Sequence, residues 1–335
     1  MNTMSLRVLY FFAILSLCSQ VACKNKEEWK SRTIYQLLTD RFSRTDGSTQ
    51  GCGDFSNYCG GTFQGIINNL DYIQGMGFDA IWISPVVKNA PGRYHGYHAV
   101  DFYAINPEFG TEDDLHNLTN ELHKRDMWLM VDIVANHVAN DYPQQDIKPF
   151  NQDSNYHYPC DVEQSDYNPK NWDHLFNCRL AGLPDLNSED PSTRQQLMDW
   201  IKWLVQTFDV DGLRIDTVQF MPEDFWTQFA QSAGVFQIGE VDDGNVDTLA
   251  KFQGSLDSVL NYPMFYTLRD VFRSGQSLQN LSNRVNEEKN HNMNRLLSQN
   301  NLKSIDATVQ GLFVDNHDNA RWLCGNDNRQ GFRSA

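Results

Sequence analysis

Short β-branched or apolar runs alternate with amphipathic helical stretches along most of this chain. That alternation constrains the fold more than any other feature. The runs fall at residues 33–38, 79–84, 128–132, 212–216, 236–240, 258–261 and 312–315. Between them, Ile66, Ile67, Leu70 and Ile73 share one helical face. Thr111 caps a helix with Asp114 at its third position and a Leu115, Leu118, Leu122 stripe. Asp190-Pro191 opens another helix, with Leu197, Trp200, Ile201, Leu204 and Phe208 at the 3.6-residue period, and Pro222 opens a fourth. Strand–helix alternation implies parallel strands joined by crossover helices. Seven such runs exceed the half of a doubly wound sheet, so the expected class is α/β, a (β/α)8 TIM barrel.

One interval breaks the rhythm. About 80 residues separate the third run from the fourth, roughly twice what a barrel repeat needs. The excess is rich in Asn, Asp, Tyr and Pro and reads as a small irregular domain inserted after the third strand. The expected division is therefore a signal peptide at 1–23, a first part of the barrel at 24–136, the insertion at 137–188, and the barrel continued but incomplete at 189–335. The signal reading rests on Arg7 followed by a short apolar run, Val8 to Leu15, then small and polar residues before Lys24. Export to an oxidising compartment makes the nearby pairs Cys52–Cys59 and Cys160–Cys178 candidate disulfides, with Cys324 left odd. Four cysteines allow three pairings, and zinc ligation is the rival, although no metal-type spacing supports it. The sequons at Asn117 and Asn280 fit the same secreted, extracellular route. A net charge of −16 disfavours nucleic acid or an anionic membrane surface as partner and suits a neutral ligand such as a sugar.

The chemistry sits where strands end, because the carboxyl ends of barrel strands converge on one face. Asp216 closes the fourth run, Glu240 the fifth, and Asp318 lies just beyond the seventh. Arg214 stands two residues before Asp216, so both side chains point inward, and a guanidinium there keeps a nucleophilic carboxylate ionised. Glu240 ends an apolar strand, where desolvation keeps a general acid protonated. His137 and His317 add donors at the same rim. Paired carboxylates of this kind flank a glycosidic bond in sugar hydrolysis.

The segments 132–137 (DIVANH), 212–216 (GLRID), 239–241 (GEV) and 313–318 (FVDNHD), with 183–186 (LPDL), 94–97 (YHGY) and 35–42 (YQLLTDRF), resemble the signature segments of the alpha-amylase family of glycoside hydrolases. The secreted fungal-type alpha-amylases are the most similar branch. The resemblance runs from about Thr33 to Arg321. It implies Asp216 as nucleophile, Glu240 as acid/base and Asp318 as stabiliser of the transition state. It also implies Arg214, His137 and His317 as sugar-binding groups, Tyr97 as a stacking platform, and Gly244 as a point of close backbone approach. A calcium held by Asn136 and Asp185 is implied, as is a polysaccharide partner (starch, glycogen or maltooligosaccharides) cleaved internally at α-1,4 bonds with retention by a monomer. Three positions depart from the fungal pattern: Gln219-Phe220 replaces Lys-His, the stretch 175–178 lacks an acidic calcium ligand, and His98 replaces an aromatic. The chain stops at Ala335, so the C-terminal part of the barrel and the usual C-terminal β-domain are expected to be missing. A non-catalytic sugar-binding or inactive truncated relative and a transglycosidase of the same family remain alternatives.

Overall fold

Alternating residues in the β-rich runs face two different apolar environments, which is what a sheet curled on itself requires. The computed structural model describes residues 24–297 and 305–323. Its strands are β1 (Ile34–Leu37), β2 (Ala80–Ile83), β3 (Val87–Asn89), β4 (Ala99–Ile105), β5 (Trp128–Ile133), β6 (Gly212–Ile215), β7 (Phe236–Gly239) and β8 (Ser258–Val259). Six of them form one parallel sheet in the order β1-β2-β5-β6-β7-β8, that of a (β/α)8 barrel. Trp82, Trp128, Met130, Phe236, Ile238 and Leu260 fill the concave side together with Trp29. Ile81, Ile83, Leu129, Val131, Leu213 and Ile215 pack outward against the helices.

The helix starts are those the sequence marks. Thr111 Oγ1 accepts from Asp114 N while Asp114 returns a bond to Thr111 N. Asp190 caps Pro191–Phe208 through Thr193 N, and Leu197, Trp200, Ile201, Leu204 and Phe208 are all buried. Ile66, Leu70 and Ile73 are buried on one side as expected, but on two short helices, Phe63–Ile67 and Leu70–Gly75, separated at Asn68-Asn69.

The floor of the barrel is closed by Trp29, whose indole stacks on Phe236 at 5.1 Å and donates to the Asp211 carbonyl at 3.3 Å. This fixes Gly212: a Cβ there would lie 2.7 Å from Trp29 Cζ2. Gly212→Ala is expected to cost about 1–3 kcal/mol by overpacking, read from chemical denaturation. An unchanged midpoint would mean that the Lys26–Trp29 helix is not seated on the barrel.

Two expectations need correction. The run at 312–315 does not form a strand: contact with the sheet is a single parallel bridge, Leu260 to Gly311. Gly311 N donates to Val259 O and its carbonyl accepts from Asn261 N, but Leu312 then turns outward, 69% exposed. Among the described residues no strand pairs with its far side. The antiparallel pair β3–β4 was not anticipated either. Its bulged register and the Pro91-Gly92 turn disguise the strand pattern.

Residues 137–188 contain no strand longer than an isolated bridge. They hold four 3₁₀ turns and one short helix, Trp172–Asn177. The segment leaves and re-enters the barrel at one point, because Val138 N donates to Pro184 O and Leu186 N to Asn136 O. Cys160–Cys178 and Cys52–Cys59 are both disulfides, which disposes of zinc ligation by these four residues. The signal reading at 1–23 and Cys324 lie outside the described residues. No described helix is long and apolar enough to cross a membrane.

Candidate active site

Strand register decides which side chains meet. Asp132 of β5 lies opposite Arg214 of β6, and β6 and β7 end side by side at Asp216 and Glu240. Arg214 is completely buried. Its Nη1 donates to Asp132 Oδ1 and Oδ2 at 2.9 and 3.0 Å and to Asp216 Oδ1 at 2.7 Å, while Nη2 lies 3.1 Å from Glu240 Oε1. One cation thus carries three carboxyl groups, two more negative charges than it can neutralise if all ionise. The consequence is graded protonation. Burial pushes the Asp216 carboxyl up while Arg214 pulls it back. Burial also raises Glu240, against Arg214, and the neighbouring Asp216 charge adds to the rise.

Glu240 is held from both sides. Thr217 N donates to its Oε2 at 2.9 Å, and the Tyr262 hydroxyl lies 3.4 Å from Oε1. Thr217 reaches that position with a φ of +52°, a conformation costly for a β-branched residue. Bonds from Val218 N to Glu240 O and from Glu240 N to Ile215 O hold the backbone there. Asp318 completes the group of acids. Its side chain is 42% exposed, yet desolvation, followed by the Glu240 charge, pushes its carboxyl up to about 6.

A second line of contacts leads away from Arg214. The Tyr97 hydroxyl lies 2.8 Å from Asp132 Oδ2 and 2.7 Å from His317 Nε2, and Gln36 Nε2 lies 2.6 Å from His317 Nδ1. Trp82 Nε1 donates to the same Asp132 oxygen at 3.1 Å. The Tyr97 and His317 rings are within 14° of parallel, with centroids 5.7 Å apart. Asp132, Trp82 and Gln36 were not singled out from the sequence. The signal for Asp132 was present, a charge inside the apolar strand 128–133, but only the register pairs it with Arg214.

The remaining candidates are more scattered. His137 is buried with Nε2 unpartnered, and burial lowers its pKa to about 4. Asn136 and Asp185 sit beside it, linked by the His137–Asp185 bridge, and each has a buried oxygen without a partner. Burial pushes the Asp185 carboxyl up to about 7 despite the bond between its Oδ2 and His157 Nδ1 at 2.6 Å. Two adjacent orphan oxygens suit a hard cation. Among the described residues no cluster of three or more His, Cys, Asp or Glu side chains is set to hold a metal. Any cation here would draw on amide and backbone oxygens as well. Gly244 has open space: a Cβ would meet only Tyr266 Cδ2 at 3.7 Å, so the fold itself does not require glycine there. A cleft of about 250 Å³ opens beside Glu240, lined by Tyr167, Leu180, Thr217, Gln219, Phe220 and Asp242.

A parallel barrel sheet with acids gathered on an arginine at its carboxyl rim defines a (β/α)8-barrel protein with a rim site. The family profile described as alpha amylase, catalytic domain, matches residues 36–334. Alpha-amylase 2 of Schwanniomyces occidentalis is 44% identical over 306 residues, covering 88% of this chain and 58% of that protein. The structure of an alpha-amylase from Malbranchea cinnamomea is similar with a TM-score of 0.80 and 38% identity, covering 89% of this chain and 63% of that one. An alpha-amylase from Geobacillus thermoleovorans, solved in complex with acarbose, gives a TM-score of 0.76 at 34% identity, covering 88% and 63%. The chain belongs to the alpha-amylase family of glycoside hydrolases. It spans less than two thirds of the length of each of these relatives.

Proposed function

We propose that the protein is a secreted, extracellular enzyme that hydrolyses internal α-1,4-glucosidic bonds of starch or glycogen with retention of configuration. The observation that carries this reading is the placement of Asp216 and Glu240 on the two amino groups of one buried guanidinium. A pair of carboxyls set on one face of the sugar with no room for a water between works through a covalent intermediate rather than direct displacement. Asp216 attacks the anomeric carbon while Glu240 gives its proton to the departing glycosidic oxygen. Glu240 then takes a proton from water, which cleaves the Asp216 ester. Asp318 faces the positive charge that develops on the ring. Arg214, His137 and His317 hold sugar hydroxyls, Tyr97 offers its ring face, and Gly244 leaves room beside the chain. The assay is reducing-end release from starch with the anomer of the fresh product read by NMR. The α-anomer is expected; a β-anomer first, or no release, overturns the reading.

A transfer reaction is the second reading, favoured by the aromatic rings of Tyr167 and Phe220 in the cleft beside Glu240, on which an acceptor sugar could stack. It predicts longer oligosaccharides in place of net reducing ends.

Calcium is the proposed cofactor, held by Asn136 and Asp185 and the backbone near them, where it would tie segment 137–188 to the barrel. Chelator is expected to lower the melting temperature and added calcium to restore it. An unchanged melting temperature removes the ion from the account.

A further inference from the structure

The contacts around His317 can be ordered by asking where each proton must go. Asp132 takes two bonds from Arg214 and one from Trp82 Nε1, all donors that require an acceptor. Burial pushes the Asp132 carboxyl up to about 7 against the pull of Arg214; in its ionised form, above that pH, it can only accept, and the one proton of the Tyr97 hydroxyl is committed to Asp132 Oδ2 at 2.8 Å. The Tyr97 oxygen can then only accept at 2.7 Å from His317, so His317 Nε2 carries a hydrogen. Asp318 Oδ2, 3.3 Å from the same Nε2, is a second acceptor and agrees with that choice. Nδ1 is left as a bare lone pair, and the group 2.6 Å from it must be a donor: the Gln36 side-chain amide N–H. The reverse order would place the Tyr97 oxygen and the Asp132 carboxylate in contact with no proton between them. Burial, reinforced by Arg214 and Arg321, lowers the His317 pKa to about 3, so the ring is neutral and the tautomer question is a real one.

We propose that Gln36 is a positioning residue that locks His317 as its Nε2–H tautomer, starting a one-way hydrogen-bond chain in which Gln36 donates to His317, His317 to Tyr97, and Tyr97 to the Asp132 carboxylate paired with Arg214. Its position on β1, at the same register level as Trp82 of β2, lets it reach across the mouth of the barrel. For a sugar-binding site the consequence is that the His317 Nε2–H is already given to the Tyr97 oxygen, which fixes the Tyr97 ring and the imidazole relative to each other before a sugar arrives, whereas the other tautomer would set two lone pairs against each other there. That consequence rests on the proposed glycosidase reading; the tautomer does not.

The test is long-range proton–nitrogen NMR on the whole chain labelled at histidine nitrogens, with the His317 signal identified by its loss in His317→Asn. The wild type should show Nε2 protonated and Nδ1 bare. Gln36→Leu removes the donor and should give mixed tautomers. Gln36→Glu is nearly isosteric but only accepts, and should move the proton to Nδ1. A wild-type ring protonated at Nδ1, or Gln36→Leu and Gln36→Glu spectra identical to wild type, overturns the proposal. Because these readings need no substrate, they stand apart from the starch assay and its outcome.

Discussion

Asp132→Ala is expected to destabilise the protein by about 3–5 kcal/mol, the cost of leaving a buried charge without its partner. Arg214 is fully enclosed, so water cannot replace the two bonds that Asp132 accepts from Nη1. Trp82 Nε1 and the Tyr97 hydroxyl lose their acceptor at the same time, and an unsatisfied buried donor costs about 1–3 kcal/mol on its own. Asp216 and Glu240 remain on the guanidinium but belong to the rim, where they are needed in different protonation states. Asp132→Asn keeps an acceptor oxygen and the volume while removing the charge, and should fall between wild type and alanine. Urea denaturation of the whole chain measures both. A loss below about 1 kcal/mol for alanine would show that Arg214 does not depend on Asp132 for its counter-charge.

Asp132 also shows where reading the sequence stops. Arg214 and Asp216 were legible because a two-residue spacing puts both side chains on one face of a strand, a rule that needs no partner strand. Glu240 was legible because an acid ends an apolar run. Asp132 lies inside such a run, where its role appears only once β5 and β6 are in register. Gln36 was out of reach for the same reason, since its partner His317 is 281 residues away. At the level of the fold, six of the seven runs became strands because each has a parallel neighbour to complete its ladder. The run at 312–315 has comparable strand propensity, but its pairing stops at the Gly311 bridge because the chain turns outward at the exposed Leu312. The two cystines were legible because short loops close at little entropic cost, so proximity in sequence was a sound guide.

Glu240→Gln is expected to lower kcat on starch by about 10³-fold or more while leaving the fold intact, since general acid–base groups contribute on the order of 10²–10⁴-fold. Gln preserves the shape and can accept from Thr217 N through its carbonyl oxygen, so the strained Thr217 turn keeps its partner. What is lost is the proton. The sign of the stability change separates this from unfolding. Burial raises the pKa of Glu240 in the folded state, so the folded wild type is favoured while the group is protonated and loses that advantage as pH rises from the unfolded value through the folded one. Gln carries no such titration. Relative to wild type, the variant should therefore gain stability as pH rises across that window, even as its activity stays near zero. On the proposed mechanism wild-type kcat/KM should fall with rising pH as Glu240 loses its proton, and that fall should be absent from any residual rate of the variant. Asp216→Asn should be equally inactive for a different reason, because no carboxylate remains to attack the anomeric carbon. A Glu240→Gln protein that still cleaves starch within tenfold of wild type would remove Glu240 from the acid/base role and, with it, the mechanism built on the Arg214 cluster.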